Sequence, residues 1–154
     1  MKEITLGFRA FIAMAFVAPL VFALSTAVSA HDYVVKDGTS IEASLTGKPG
    51  DAAKGRKLAI SRKKGNCLAC HVLPIPEQPY HGKIGTDLNG AGSRYTEGEL
   101  RLRIVNSKVL NRDTIMPAFH KWKGLHRVLK KFRGKTILTA EEVEDVIAYV
   151  MTLK

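Results

Sequence analysis

Cys67-Leu68-Ala69-Cys70-His71 is the stretch from which the rest of the chain is read: two thiols three positions apart, then an imidazole, the spacing of covalent c-type haem attachment. The thiols are placed to form thioether bonds to the two porphyrin vinyl groups, and His71 then reaches the iron as proximal axial ligand. Two other readings use the same residues. A structural zinc site needs four ligands, and Cys67 and Cys70 are the only cysteines, so two histidines would have to complete it. His120 and His126 have the H-x5-H spacing, but they lie about fifty residues beyond Cys70, and a zinc site leaves His71 without a role. A redox dithiol would sit at a strand-to-helix junction in a βαβ pattern, which is not found here. The haem reading is the one carried forward.

Residues 1–30 read as an export signal: Lys2 and Arg9, an apolar run from Ala10 to Leu24, then Val28-Ser29-Ala30 before the cut. Cleavage after Ala30 makes His31 the mature N-terminus. The run is shorter than the ~20 residues of a membrane span and contains Pro19, so stable membrane insertion after cleavage is not expected. Removing 30 of 154 residues leaves 124, the size of one domain. Without Lys2, Arg9 and Glu3 the formal charge of +10 falls to +9, from 22 basic and 13 acidic residues. For an exported protein such a charge favours acidic proteins, anionic surfaces or small anions as partners, not nucleic acid.

Along the mature chain, residues 31–49 show no sustained period and read as an N-terminal extended arm that packs on the domain or on a partner. Pro49-Gly50-Asp51 starts a first helix with Asp51 as N-cap, and Gly65 is expected to close it. Pro74, Pro76, Pro79, Gly82, Gly85, Gly90 and Gly92 then mark a long loop, of the kind that wraps a prosthetic group. Thr96-Glu97-Gly98-Glu99 is a capping box for a short helix to about Ser107, with Leu100, Ile104 and Val105 on one face. A second irregular stretch runs from Lys108 to Leu138. Thr139 with Glu142 makes another capping box, and Val143, Val146, Ile147 and Val150 form the apolar face of the last helix. The expectation is an all-α single domain: three main helices, long haem-wrapping loops, and domain limits of 31–49 for the arm and 50–154 for the haem domain.

The iron needs a sixth ligand or an open site. Met151 falls near the apolar face of the last helix, where core packing accounts for it. Met116 lies in a non-helical loop far along from His71, and Pro117 behind it stiffens the backbone that presents the sulfur, so Met116 is the expected distal ligand. His81, His120 and His126 are the other candidates and are expected as surface or loop histidines. His/Met ligation would raise the reduction potential relative to two histidines. The basic stretch Lys121-Trp122-Lys123, Lys130-Lys131-Phe132-Arg133 and Lys135 is either an attractor for an acidic partner or a solvated face with Trp122 and Phe132 turned inward.

Gly50-Asp51, Gly55, the Cys67 to His71 motif, Gly85-Thr86-Asp87-Leu88, Met116-Pro117 and Tyr149 resemble monohaem class I cytochrome c over about residues 50–154. That resemblance implies that the first and last helices cross at Gly55, close to Tyr149. It also implies a carbonyl after Gly85 that accepts from the proximal histidine; the family usually has Gly-Pro there, so Thr86 would provide it. Thioether attachment of this kind takes place outside the cytoplasm, which agrees with the export signal.

A more specific resemblance extends beyond these residues. Ser44-Leu45-Thr46-Gly47, Gly65-Asn66-Cys67-Leu68-Ala69-Cys70-His71, Asp113-Thr114-Ile115-Met116-Pro117-Ala118-Phe119 and Ile137 to Val146 look like subunit X of the Sox thiosulfate-oxidising system. This implies a periplasmic protein with one covalently bound haem c, on Cys67 and Cys70, with axial His71 and Met116. It implies pairing with a larger, SoxA-like cytochrome in an L-cysteine S-thiosulfotransferase that joins thiosulfate oxidatively to a cysteine of a sulfur-carrier protein. Electrons would pass on to a downstream acceptor, a small cytochrome. The catalytic haem would belong to the larger subunit, and no nucleophile with a positioned base is recognisable in this chain. The alternative is a freely diffusing periplasmic monohaem cytochrome c that shuttles electrons with no fixed partner.

Overall fold

Asp51 caps the first helix as its sequence context requires: its carboxylate accepts from the backbone N–H groups of Ala53 (2.9 Å) and Lys54 (3.1 Å). The computed structural model describes residues 33–154, so the expected export signal over residues 1–30 lies outside the described residues. Four α-helices follow in order: α1 (Ala52–Ile60), α2 (Ala91–Arg94), α3 (Glu97–Asn106) and α4 (Ala140–Met151). Both expected capping boxes are formed, Thr96 with Glu99 on α3 and Thr139 with Glu142 on α4. Among the described residues the only β-pairing is an isolated bridge between Lys36 and Ser40. The molecule is all-α, with α2 a single turn inside the first long loop.

Helix α1 stops sooner than expected. It ends at Ile60, where the Ser61 N–H donates to Lys57 (3.1 Å) and Leu58 (3.2 Å), and Gly65 lies a further turn on. The glycine serves a different purpose there. A Cβ at position 65 would sit 2.8 Å from the Leu58 carbonyl oxygen, so its absence lets the chain fold back over the end of α1.

Helices α1 and α4 form the main packing contact. At Gly55 an added Cβ would fall 1.8 Å from the Asp145 carbonyl oxygen and 2.9 Å from Tyr149 Cβ, so the two backbones cross in contact at this residue. Helix α3 packs on α4 through Leu102 and Val105, against Val143, Val146 and Ile147, all fully buried. Helix α2 meets the end of α4, where the Gly92 N–H donates to Leu153 (2.8 Å).

Residues 33–49 lie along α3 and α4, and a buried ion pair holds them there. Arg101 Nε and Nη2 donate to the two carboxylate oxygens of Glu144 at 2.8 and 2.9 Å, and both side chains are at most 5% exposed. The same pair reaches the arm. Arg101 Nη1 donates to the Ile41 carbonyl at 2.7 Å, and Glu144 accepts from the Leu45 N–H at 2.8 Å. Every strong hydrogen-bonding direction of the pair thus has a partner, as a buried charge requires.

Candidate haem site

The Cys67 to His71 motif folds as one tight turn. Asn66 adopts a left-handed conformation (φ 50°), Cys67–Ala69 form a 3-10 turn, and the Cys67 carbonyl accepts from both Cys70 N (3.1 Å) and His71 N (2.9 Å). Leu68 points into the core, while Cys67, Cys70 and His71 line one cavity of about 670 Å³. That volume lies within the roughly 300–1,000 Å³ of small-molecule and cofactor sites. Leu100, Ile104, Phe119, Ile137, Val146 and Val150 supply much of its wall. A shallower groove of about 490 Å³ between the arm and the starts of α1 and α4 holds none of the candidate ligands. The chemistry selects the larger cavity.

The loop after the motif is stitched back onto it. Gly82 N donates to Leu68 (2.7 Å), Gly85 N to Cys70 (2.7 Å) and Leu88 N to Val72 (3.0 Å). His71 Nδ1 lies 2.6 Å from the Thr86 carbonyl oxygen. A carbonyl only accepts, so Nδ1 carries the proton and Nε2 keeps its lone pair for a metal. Threonine serves where the family usually has proline, because the acceptor is main chain. Gly85 is fixed by the same contact: a Cβ there would stand 2.4 Å from His71 Cε1.

Met116 lines the same cavity; Met151 does not. Neither do His81, His120 and His126. His120 lies in a loop, as expected, but not at the surface. It is 2% exposed, and its Nδ1 pairs with the Leu138 carbonyl at 2.8 Å. The loop after Met116 turns it inward, where the Phe119 carbonyl also accepts from Ile137 N and Leu138 N at 2.9 Å each. His81 Nδ1 lies 3.4 Å from the Leu73 N–H, and His126 is exposed.

Burial pushes the Cys67 thiol up to about 11. A redox-active dithiol needs the opposite direction, toward a stable thiolate. Among the described residues no cluster of three or more His, Cys, Asp or Glu side chains is arranged to hold a metal ion. Both rival readings of the motif therefore lack geometric support.

Several cavity residues had no recognisable signature in the sequence. The Arg103 guanidinium stacks 4.3 Å from the Tyr95 ring centroid and donates to the Glu99 carbonyl at 3.0 Å, placing a fixed positive charge in the wall. Lys131 and Phe132, from the basic stretch, also line the cavity, with the Lys131 ammonium 4.8 Å from the Phe132 ring.

The sequence model of the cytochrome c family matches residues 52–154. This chain belongs to the cytochrome c family. Among solved structures, the cytochrome is similar to a chain in the crystal structure of SoxXA from P. pantotrophus. The two are 38% identical with a TM-score of 0.74, over 82% of this chain and 98% of that one. No curated protein matches it. Family and structural match together identify a SoxX-like cytochrome whose cofactor is one covalently bound haem c and whose activity is electron transfer.

Proposed function

We propose that this chain is the exported, non-catalytic electron-transfer subunit of a thiosulfate-oxidising heterodimer. The observation that carries the reading is the single apolar cavity shared by Cys67, Cys70, His71 and Met116, in a chain 38% identical to its SoxXA counterpart. Cys67 and Cys70 would hold the haem covalently, and His71 and Met116 would ligate its iron. The donor set fits the group: two sulfurs and an imidazole presented by one turn, a thioether from another loop, and an apolar wall. Thr86 fixes the imidazole tautomer, and Arg103 puts a positive charge in the cavity wall.

The bound haem supplies one-electron exchange, and joining thiosulfate to a thiol releases two electrons and one proton, so the chain would be loaded twice per turnover. Its own residues give the ligands an apolar wall and keep the imidazole protonated at Nδ1. The partners are a larger SoxA-like cytochrome, through that complex a sulfur-carrier protein, and downstream a small cytochrome as acceptor. Cleavage after Ala30 releases the mature protein, arm 31–49 and haem domain 50–154, into the periplasm. Among the described residues no helix is long and apolar enough to cross a membrane.

The test is purification from the native periplasm, followed by thiosulfate-dependent haem reduction with the carrier protein present. A co-purifying second cytochrome, reduction on adding thiosulfate, and an intact mass that starts at His31 with one haem are expected. A lone monomer that thiosulfate and carrier leave oxidised would overturn the reading in favour of a diffusing shuttle.

A further inference from the structure

Met116 packs against the core and is also held at both ends of its backbone. Ser107 is buried, and its hydroxyl donates to the Met116 carbonyl at 3.0 Å. On the other side, the Met116 N–H donates to Thr114 Oγ1 at 3.2 Å. Thr114 is itself fixed, since Lys108 Nζ donates to its carbonyl and its N–H donates to Asn111 at 3.3 Å. The Ser107 carbonyl accepts from Leu110 N and Asn111 N, at 3.1 Å each, and Asp113 N donates to Asn111 Oδ1 at 3.0 Å. Hydrogen bonds thus close the loop from Ser107 to Met116. Outside that ring the loop faces water: Asn111, Arg112 and Asp113 are exposed, and Ile115 is 71% exposed.

A methionine side chain has three rotatable bonds and a neutral, weakly donating sulfur, so its reach depends on where its backbone is anchored. Pro117 stiffens only its own φ. We propose that Ser107 and Thr114 are positioning residues that clamp the Met116 carbonyl and N–H, and so set how readily the sixth coordination position of the iron opens. The inference rests on the reading of Met116 as distal ligand. Ser107 links the end of α3, a rigid element buried in the core, to the ligand loop; Thr114, half-buried in the cavity wall, braces that loop two residues before the ligand.

The experiment uses exported holoprotein carrying Ser107→Ala, Ser107→Thr, Thr114→Val, Thr114→Ser or Met116→Leu. Readouts are the near-infrared sulfur-to-iron charge-transfer band of the ferric form, the carbon monoxide association rate of the ferrous form, and the melting temperature. Met116→Leu should abolish the band. Ser107→Ala and Thr114→Val should weaken it and speed carbon monoxide association by roughly threefold to tenfold, the effect of losing one such hydrogen bond. The hydroxyl-retaining Ser107→Thr and Thr114→Ser should restore the wild-type rate at whatever melting temperature they show. If Ser107→Ala does not accumulate, Thr114→Val, in the ligand loop, reads the same clamp. A wild-type protein without the band sinks the ligand assignment itself. A wild-type band with unchanged rates in both hydroxyl-deletion variants overturns the positioning role and leaves the ligand assignment standing.

Discussion

Gly85 shows how narrow the tolerance around the proximal imidazole is. Its missing side chain is the space that His71 occupies, and a methyl group placed there would stand 2.4 Å from Cε1. Gly85→Ala is therefore expected to push the ring off the Thr86 carbonyl. Optical spectra should show a loss of low-spin character and a lower yield of holoprotein per unit of protein; an unchanged spectrum would count against the contact. The cysteines, His71 and Met116 could be singled out as candidates because covalent attachment and soft ligation demand particular side chains at particular spacings. The burial of His120 was not legible, and Thr86 was implied only by the family resemblance. Thr86 acts through a carbonyl that every residue has, so its identity carries no signal. His120 looks like any loop histidine until the loop is seen to fold inward and offer it the Leu138 carbonyl.

The starts of α1, α3 and α4 were readable, and so was the end of α3 near Ser107, but the end of α1 was not. The N-caps at Asp51, Thr96 and Thr139 depend on side chains acting within three residues, whereas α1 ends at Ile60 because the chain turns back to build the motif. The caps also carry the acid sensitivity. Backbone and hydroxyl hydrogen bonds from Thr96 hold the Glu99 carboxyl below its ordinary value of 4.5. A carboxylate whose folded value is lowered contributes stability that is fully present above its unfolded value and is lost as pH falls through the folded one. Glu99→Gln should accordingly flatten the fall of melting temperature below about pH 4.5, measured by circular dichroism across an acid series. At the α1–α4 crossing, Gly55→Ala drives a Cβ into the Asp145 carbonyl oxygen. Overpacking of this kind costs about 1–3 kcal/mol or more. Guanidinium unfolding of the holoprotein measures it, and an undiminished midpoint would mean that the helices can separate freely.

The whole molecule is closed by one buried ion pair that joins three segments distant in sequence. Glu144→Gln would leave the Arg101 charge buried without its carboxylate, at a cost of about 3–5 kcal/mol, while replacing both partners with apolar residues should cost less. Because the same groups bind Ile41 and Leu45, the single variant should also free the arm, seen as faster tryptic cleavage at Lys36. Equal cleavage in wild type and variant would show that other contacts hold the arm. By itself the sequence determined the haem attachment, the expected axial pair, the helical class and the helix starts, since each depends on residue chemistry acting over a few positions. The tertiary structure decided how the arm is fastened, where α1 ends and that His120 is buried, and it put distances on the Thr86 carbonyl and the Gly55 crossing that the family resemblance had only implied. Those depend on long-range approach, and main-chain atoms, which are the same in every residue, make most of the contacts.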